Sequence, residues 1–191
     1  GGEIISIAIR IARAHTGRDR VAICGYHGWH DWYLSANLKN KKNLDNHLLP
    51  NIDANGVPSS MSGLTVPFAY NDIKDLEKIL KRDPKGYAAV ILEPFRDNGP
   101  IKNYLNQVKS IAKKYGAILI FDEVTSGFRE NLGAMSKTAN VTPDMITFGK
   151  AISNGIPMAA LLGRKKIMNS FTSTFISSTY WGDRTGPAAA L

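Results

Sequence analysis

Along residues 3–15, apolar side chains recur at Ile4, Ile7, Ala8, Ile11 and Ala12, the spacing of one helical face, and Thr16-Gly17-Arg18 closes the pattern as a helix stop. A short apolar run over 21–24 then reads as a buried strand. From 39 to 70 the chain is rich in Asn, Pro, Gly and Ser and sustains no period, which predicts a long irregular excursion. Loops of that length in compact domains are usually functional. Helical spacing returns over 71–82 through Ile73, Leu76, Ile79 and Leu80, behind an Asx-type start at Asn71. The run Tyr87–Leu92 is apolar throughout and bounded by Gly86 and Pro94, as suits a strand covered on both faces. A further helix is predicted over 101–115, stopped by Gly116, followed by the strongest strand pattern of the chain at 117–121. Short strands are expected at Met145–Phe148 and 158–162, and 187–191 reads as the first turn of another helix.

Strand and helix in alternation require crossover connections. The expected fold is therefore α/β, a mostly parallel sheet with helices on both faces. In such sheets chemistry gathers beyond the carboxyl ends of the strands. The residues at those ends are Gly25-Tyr26-His27, Glu93-Pro94, Asp122-Glu123 and Gly149-Lys150.

Composition narrows the class without redirecting it. With 191 residues, 43% hydrophobic and 21% charged, disordered, collagen-like and disulfide-scaffold chains are excluded. No run of about 18 apolar residues is present, so no membrane helix is expected. Cys24 is the only cysteine, which favours a reducing, cytoplasmic setting, and its place inside a strand argues for core rather than catalysis. The formal charge of +8 comes from scattered short groups such as Lys81-Arg82 and Lys113-Lys114, mostly at helix ends, where cations suit the dipole. A nucleic-acid surface would cluster them on one face, so no nucleic-acid partner is expected. The chain opens without Met or a signal-peptide pattern and stops within a helical turn, so it is expected to be a fragment truncated at both ends.

The acidic pair admits two readings. An apolar strand ending in Asp122-Glu123 would serve a phosphate-loop ATPase, but that needs G-x-x-x-x-G-K-[ST]. The only Gly-Lys, Gly149-Lys150, is followed by Ala151 and preceded, five residues back, by Asp144. The other reading is a buried carboxylate and a lysine meeting over a cofactor at neighbouring strand ends. Lys150 sits between Ile-Thr-Phe-Gly and Ala-Ile-Ser-Asn-Gly-Ile-Pro, apolar and glycine-rich surroundings. A lysine bound to a carbonyl carries no isolated ammonium, which removes the cost of burying one. His30, Asp31 and His47 lack the further ligands of a metal constellation.

The ordered segments Gly1-Gly-Glu3, Ala12-Arg-Ala-His-Thr-Gly-Arg18, Tyr26-His-Gly-Trp-His-Asp31, Glu93-Pro94, Leu119-Ile-Phe-Asp-Glu-Val-Thr-Ser-Gly-Phe128, Pro143-Asp-Met-Ile-Thr-Phe-Gly-Lys-Ala151 and Ser178-Thr-Tyr-Trp181 run the whole chain, with 28 residues separating Asp122 from Lys150. Together they resemble the class III aminotransferases of the fold-type I pyridoxal-phosphate (PLP) enzymes, above all the glutamate-1-semialdehyde aminomutase-like branch. The resemblance implies that residues 1–191 are the large PLP-binding domain, without the small domain. It implies that Lys150 forms the Schiff base with PLP and then carries the proton. It also implies that Asp122 pairs with the pyridine nitrogen and keeps the ring an electron sink.

By the same resemblance Val124 covers one side of the ring and Tyr26 stacks on the other. The phosphate falls to the backbone amides at Gly1-Gly2, at a helix start. The family usually has Ser or Thr at the second of these positions, and Gly2 has no hydroxyl to offer. Thr179 matches a threonine that reaches the phosphate from the neighbouring subunit, implying a homodimer with shared active sites. Asn98 matches an asparagine near the PLP hydroxyl, although the local Arg-Asp-Asn-Gly-Pro differs from the usual pattern. His27 is read as pinning its loop. The implied activity is amino-group transfer on a small amine or amino-acid substrate. The alternatives are an aminomutase-type isomerase and, from another class, a non-catalytic binding relative of the fold.

Overall fold

The computed structural model describes all 191 residues. Helix α1, Gly2–Thr16, ends on Gly17 in the left-handed conformation, whose N–H returns to the Arg13 carbonyl. Its buried positions are Ile5, Ala8, Ile9, Ile11 and Ala12, while Ile4 and Ile7 are only partly buried. The face is thus rotated from the one read in the sequence. With five isoleucines in the helix, several stripes are apolar enough to bury, and only the sheet beneath decides which does so.

The sheet has six strands, β1 Arg20–Cys24, β2 Thr65–Pro67, β3 Tyr87–Leu92, β4 Ile118–Asp122, β5 Met145–Phe148 and β6 Ala160–Gly163. They lie in the order β2-β1-β3-β4-β5-β6. Every neighbouring pair is parallel except β5 with β6. The mostly parallel sheet expected from the alternation is present. Strand β2 was not legible: three residues inside the irregular excursion are too few to show a period. Its proline is tolerable because β2 is an edge strand.

Two other helices begin later than the pattern predicts. In α3, Ile73–Arg82, Asp72 is the cap, accepting from the amides of Lys74 and Asp75. Asn71 instead takes a left-handed conformation, and its side chain ties the loop to Gly99 and Ile101. Helix α4, Tyr104–Tyr115, starts behind Asn103, whose φ of 68° breaks any continuation from Ile101. Short helices α2, Asp31–Leu34, α5, Lys165–Met168, and α6, Thr185–Ala190, complete the set.

Side chains alternate across the strands into two apolar clusters. Val21, Ile23, Ala89, Ile91 and Ile120 face α1, whereas Ala22, Cys24, Val90, Leu92 and Phe121 face α3 and α4. The clusters hold 18 and 17 buried residues, so both faces of the sheet are covered, as a parallel sheet requires. From β1 the chain goes outward to β2 and returns through α3 to β3 on the other side. Such a reversal opens a crevice at the carboxyl ends of β1 and β3.

Candidate active site

Asp122 closes β4 opposite Thr147 of β5. The carboxylate is 2% exposed. Such burial costs several kcal/mol unless the charge is met by donors, and three meet it. Oδ2 accepts from His27 Nδ1 at 2.7 Å, and Oδ1 accepts from the Val124 amide and the Thr147 hydroxyl, both at 3.1 Å. Because an ionised carboxylate can only accept, His27 carries its proton on Nδ1. His27 is itself fully buried, and its Nε2 has no partner. The histidine read as a loop pin is therefore also a direct hydrogen-bond partner of the Asp122 carboxylate. Thr147 was missed; its signal was a hydroxyl at the centre of the apolar run Met145–Phe148.

Behind this pair lies a second polar layer. Glu93, after β3, accepts from the Tyr26 amide through Oε2 and lies 3.7 Å from Arg96 Nε. Burial pushes its carboxyl above the usual range, partly offset by His27. His47 accepts the Gly25 amide on Nδ1 at 3.1 Å. Burial, with the Arg96 charge as a lesser cause, lowers its pKa to about 4. His47 thus stays neutral in the fold while the unfolded chain takes up a proton below its ordinary value near 6.5. Stability from this group is whole above about pH 6.5 and declines toward pH 4, by up to about 3 kcal/mol. Urea titrations from pH 7.5 to 4 should show His47→Gln flattening that decline relative to the parent protein.

Glu123 points away from the site and organises the loop behind it. Fully buried, it accepts from the amides of Met135 and Ser136 and from the Ser126 hydroxyl. Glu123→Ala leaves those amides without an acceptor and should cost about 1–3 kcal/mol in denaturant titration.

Val124 is 8% exposed and lies against two glycines. A Cβ on Gly1 would come within 3.0 Å of its Cγ1, and one on Gly149 within 3.2 Å. The strand stops at Asp122, so Val124 shares this corner through a turn and not through strand alternation. Gly1, Val124, Gly149 and Lys150 are thereby brought together. Tyr26 is half-buried at the end of β1, edge-on to Tyr33 with centroids 5.8 Å apart.

Lys150 has a left-handed φ of 40°. Its side chain is exposed, with Nζ donating to the Thr125 hydroxyl at 2.9 Å. The apolar neighbourhood read from the sequence does not enclose it. The backbone turn at Gly149-Lys150 lifts the side chain over the strand ends, while Phe148 turns into the core. Thr125 as the lysine's partner was also missed.

Two expected residues stand apart. Asn98 is exposed on a cleft with Pro100, Asn103, Tyr104 and Thr138, whose lining includes neither Asp122 nor Lys150. Thr179 is exposed between Ser173 and Thr185, in neither helix nor strand, and makes no hydrogen bond to the Asp122 and Lys150 group. No helix is long and apolar enough to cross a membrane.

Known proteins are similar to this chain in sequence and fold. The family model described as Aminotransferase class-III matches residues 1–191. A 3-aminobutyryl-CoA aminotransferase of Cloacimonas acidaminovorans is 37% identical over 100% of this chain and 44% of its own length. A glutamate-1-semialdehyde 2,1-aminomutase of Sulfolobus acidocaldarius is 37% identical over 90% of this chain and 41% of its own. Among solved structures, a transaminase with PLP bound superposes with a TM-score of 0.79 at 27% identity, over 94% of this chain and 44% of that one. The chain spans less than half the length of these relatives. A family match over the whole chain and relatives at 37% identity show that the chain belongs to the class-III aminotransferase family.

Proposed function

We propose that this chain is the PLP-binding large domain of an enzyme that moves an amino group from a small amine or amino acid to a carbonyl acceptor. The carrying observation is that Asp122 and Lys150 stand at the ends of adjacent strands β4 and β5, beside the amide end of α1. The residues fit the cofactor. The first turn of α1 has no side-chain cap, leaving its amides for a phosphate. Gly1 and Gly149 leave against Val124 the space that side chains would fill. When bound, PLP supplies the carbonyl that takes the substrate amine and the electron-withdrawing ring that acidifies the adjacent C–H.

The chain's own residues do the rest. Lys150 would anchor the cofactor through Nζ, and the same amine would take and return the substrate proton. Thr125 offers that amine a hydrogen-bond partner. Asp122, oriented by His27 and Thr147, holds a proton on the ring nitrogen. Tyr26 and Val124 bound the ring's two faces, and the amides at Gly1 and Gly2 hold the phosphate. Thr179, exposed and apart from its own site, belongs to the phosphate pocket of a second copy, so the enzyme works as a homodimer with shared sites in the cytoplasm. Asn98 is assigned to the cofactor's hydroxyl side by the family motif alone, since its cleft here includes neither Asp122 nor Lys150.

The test is direct. The full-length protein should absorb in the near-ultraviolet to visible range. Borohydride reduction should fix a pyridoxyl group on the peptide containing Lys150, and an amine-donor screen should consume a keto-acid acceptor. A colourless protein that takes up no PLP overturns the reading. The equal identity to an aminomutase keeps an intramolecular transfer as the second reading, in which product forms without any added keto acid.

A further inference from the structure

We propose that His30 is a phosphate-contacting residue of the cofactor site, filling the role of the side chain that Gly2 lacks. This rests on the PLP reading above and assigns a residue within it. The loop after β1 lies pressed against the first turn of α1. A Cβ on Gly28 would fall 2.7 Å from the Gly2 Cα, and the φ of 95° at Gly28 is itself a conformation that favours glycine. A Cβ on Gly2 would meet both Cε1 and Nδ1 of the His30 ring at 2.9 Å. Imidazole and side chain therefore exclude one another: this chain has the ring where a side chain at position 2 would lie.

The ring is held in that place. Trp29 stacks on it, centroids 4.9 Å apart and planes 18° from parallel. Trp32 donates from Nε1 to the Ser6 hydroxyl at 3.1 Å, fastening the same loop to α1. Yet His30 Nδ1 is buried without a hydrogen-bond partner, and Gly1 caps α1 with no side chain. A buried, unpartnered ring nitrogen beside uncapped helix amides is a donor set short of its acceptor. A phosphate dianion bound at those amides supplies one, accepting from Nδ1–H. Trp29, 72% exposed, gains a purpose as the clamp on the ring.

The experiment measures the affinity of the full-length apo-protein for PLP and for pyridoxal, which lacks the phosphate, by fluorescence quenching. His30→Ala should weaken PLP about tenfold or more and leave pyridoxal within about twofold. Gly2→Ser in the parent should weaken PLP as well, because its Cβ meets the ring. In the His30→Ala background the same Gly2→Ser has room, and its hydroxyl should recover most of the lost PLP affinity. Circular dichroism shows whether each variant is folded, and His30→Gln, which keeps a donor, should lie between parent and alanine. Equal losses for PLP and pyridoxal, or a double variant no better than His30→Ala alone, would overturn the assignment of His30. A parent protein that binds neither compound overturns the PLP reading instead.

Discussion

Replacing Lys150 with alanine in the full-length protein should remove the covalent cofactor bond and lower the rate of amino transfer by on the order of 10³-fold or more. One nitrogen performs two tasks, anchor and proton carrier, so no neighbour can take over either. Thr125 is the only hydrogen-bond partner of that amine, and a hydroxyl at neutral pH cannot replace it as a base. The exposed position of Lys150 makes the change mild for the fold. It is followed by measuring the borohydride-trapped peptide, the visible absorbance and single-turnover transfer together. PLP should still bind through the amide end of α1 and Asp122, dissociating on dialysis where the parent retains it. A Lys150→Ala protein with normal turnover is incompatible with the proposed mechanism.

Asp122→Asn should lower transfer by on the order of 10²-fold or more while leaving the lysine adduct able to form. The substitution nearly preserves shape, so its effect is electronic and tautomeric. A neutral amide cannot hold a proton on the ring nitrogen as a carboxylate does. The amide must also face three donors where it has one acceptor oxygen. If its oxygen serves Val124 and Thr147, its NH₂ group confronts the Nδ1–H of His27, and the histidine must move its proton to Nε2. That rearrangement inside a fully buried network adds a folding cost of about 1–3 kcal/mol. Single-turnover rates and denaturant titration of the same variant separate the two effects. Normal transfer accompanied by only the stability loss would remove Asp122 from the chemistry.

Several features carry their meaning locally and are legible in the amino-acid sequence alone. The runs Tyr87–Leu92 and Met145–Phe148 are apolar because the strands are covered on both faces, so their boundaries match the observed ones. The strand-end residues can be named because a parallel sheet puts its functional groups beyond carboxyl ends. What misleads is local in another way. Asn71 and Asn103 lie where the helical patterns open, but each adopts a left-handed conformation that starts the helix later. Strand β2 is stabilised by pairing with β1 and has no pattern of its own.

By itself the sequence determined the fold class, the ordered motifs and the strand-end placement of Asp122 and Lys150, because burial on two faces and glycine-dependent turns leave marks at fixed spacings. Only the tertiary structure decided who touches whom. His27 and Thr147 converge on Asp122 from 95 and 25 residues away, and His30 occupies the side-chain space of Gly2 across the β1 loop. The physical reason is that a hydrogen bond or a steric exclusion between distant residues depends on register and crossover geometry. Neither is written in the periodicity of either segment alone.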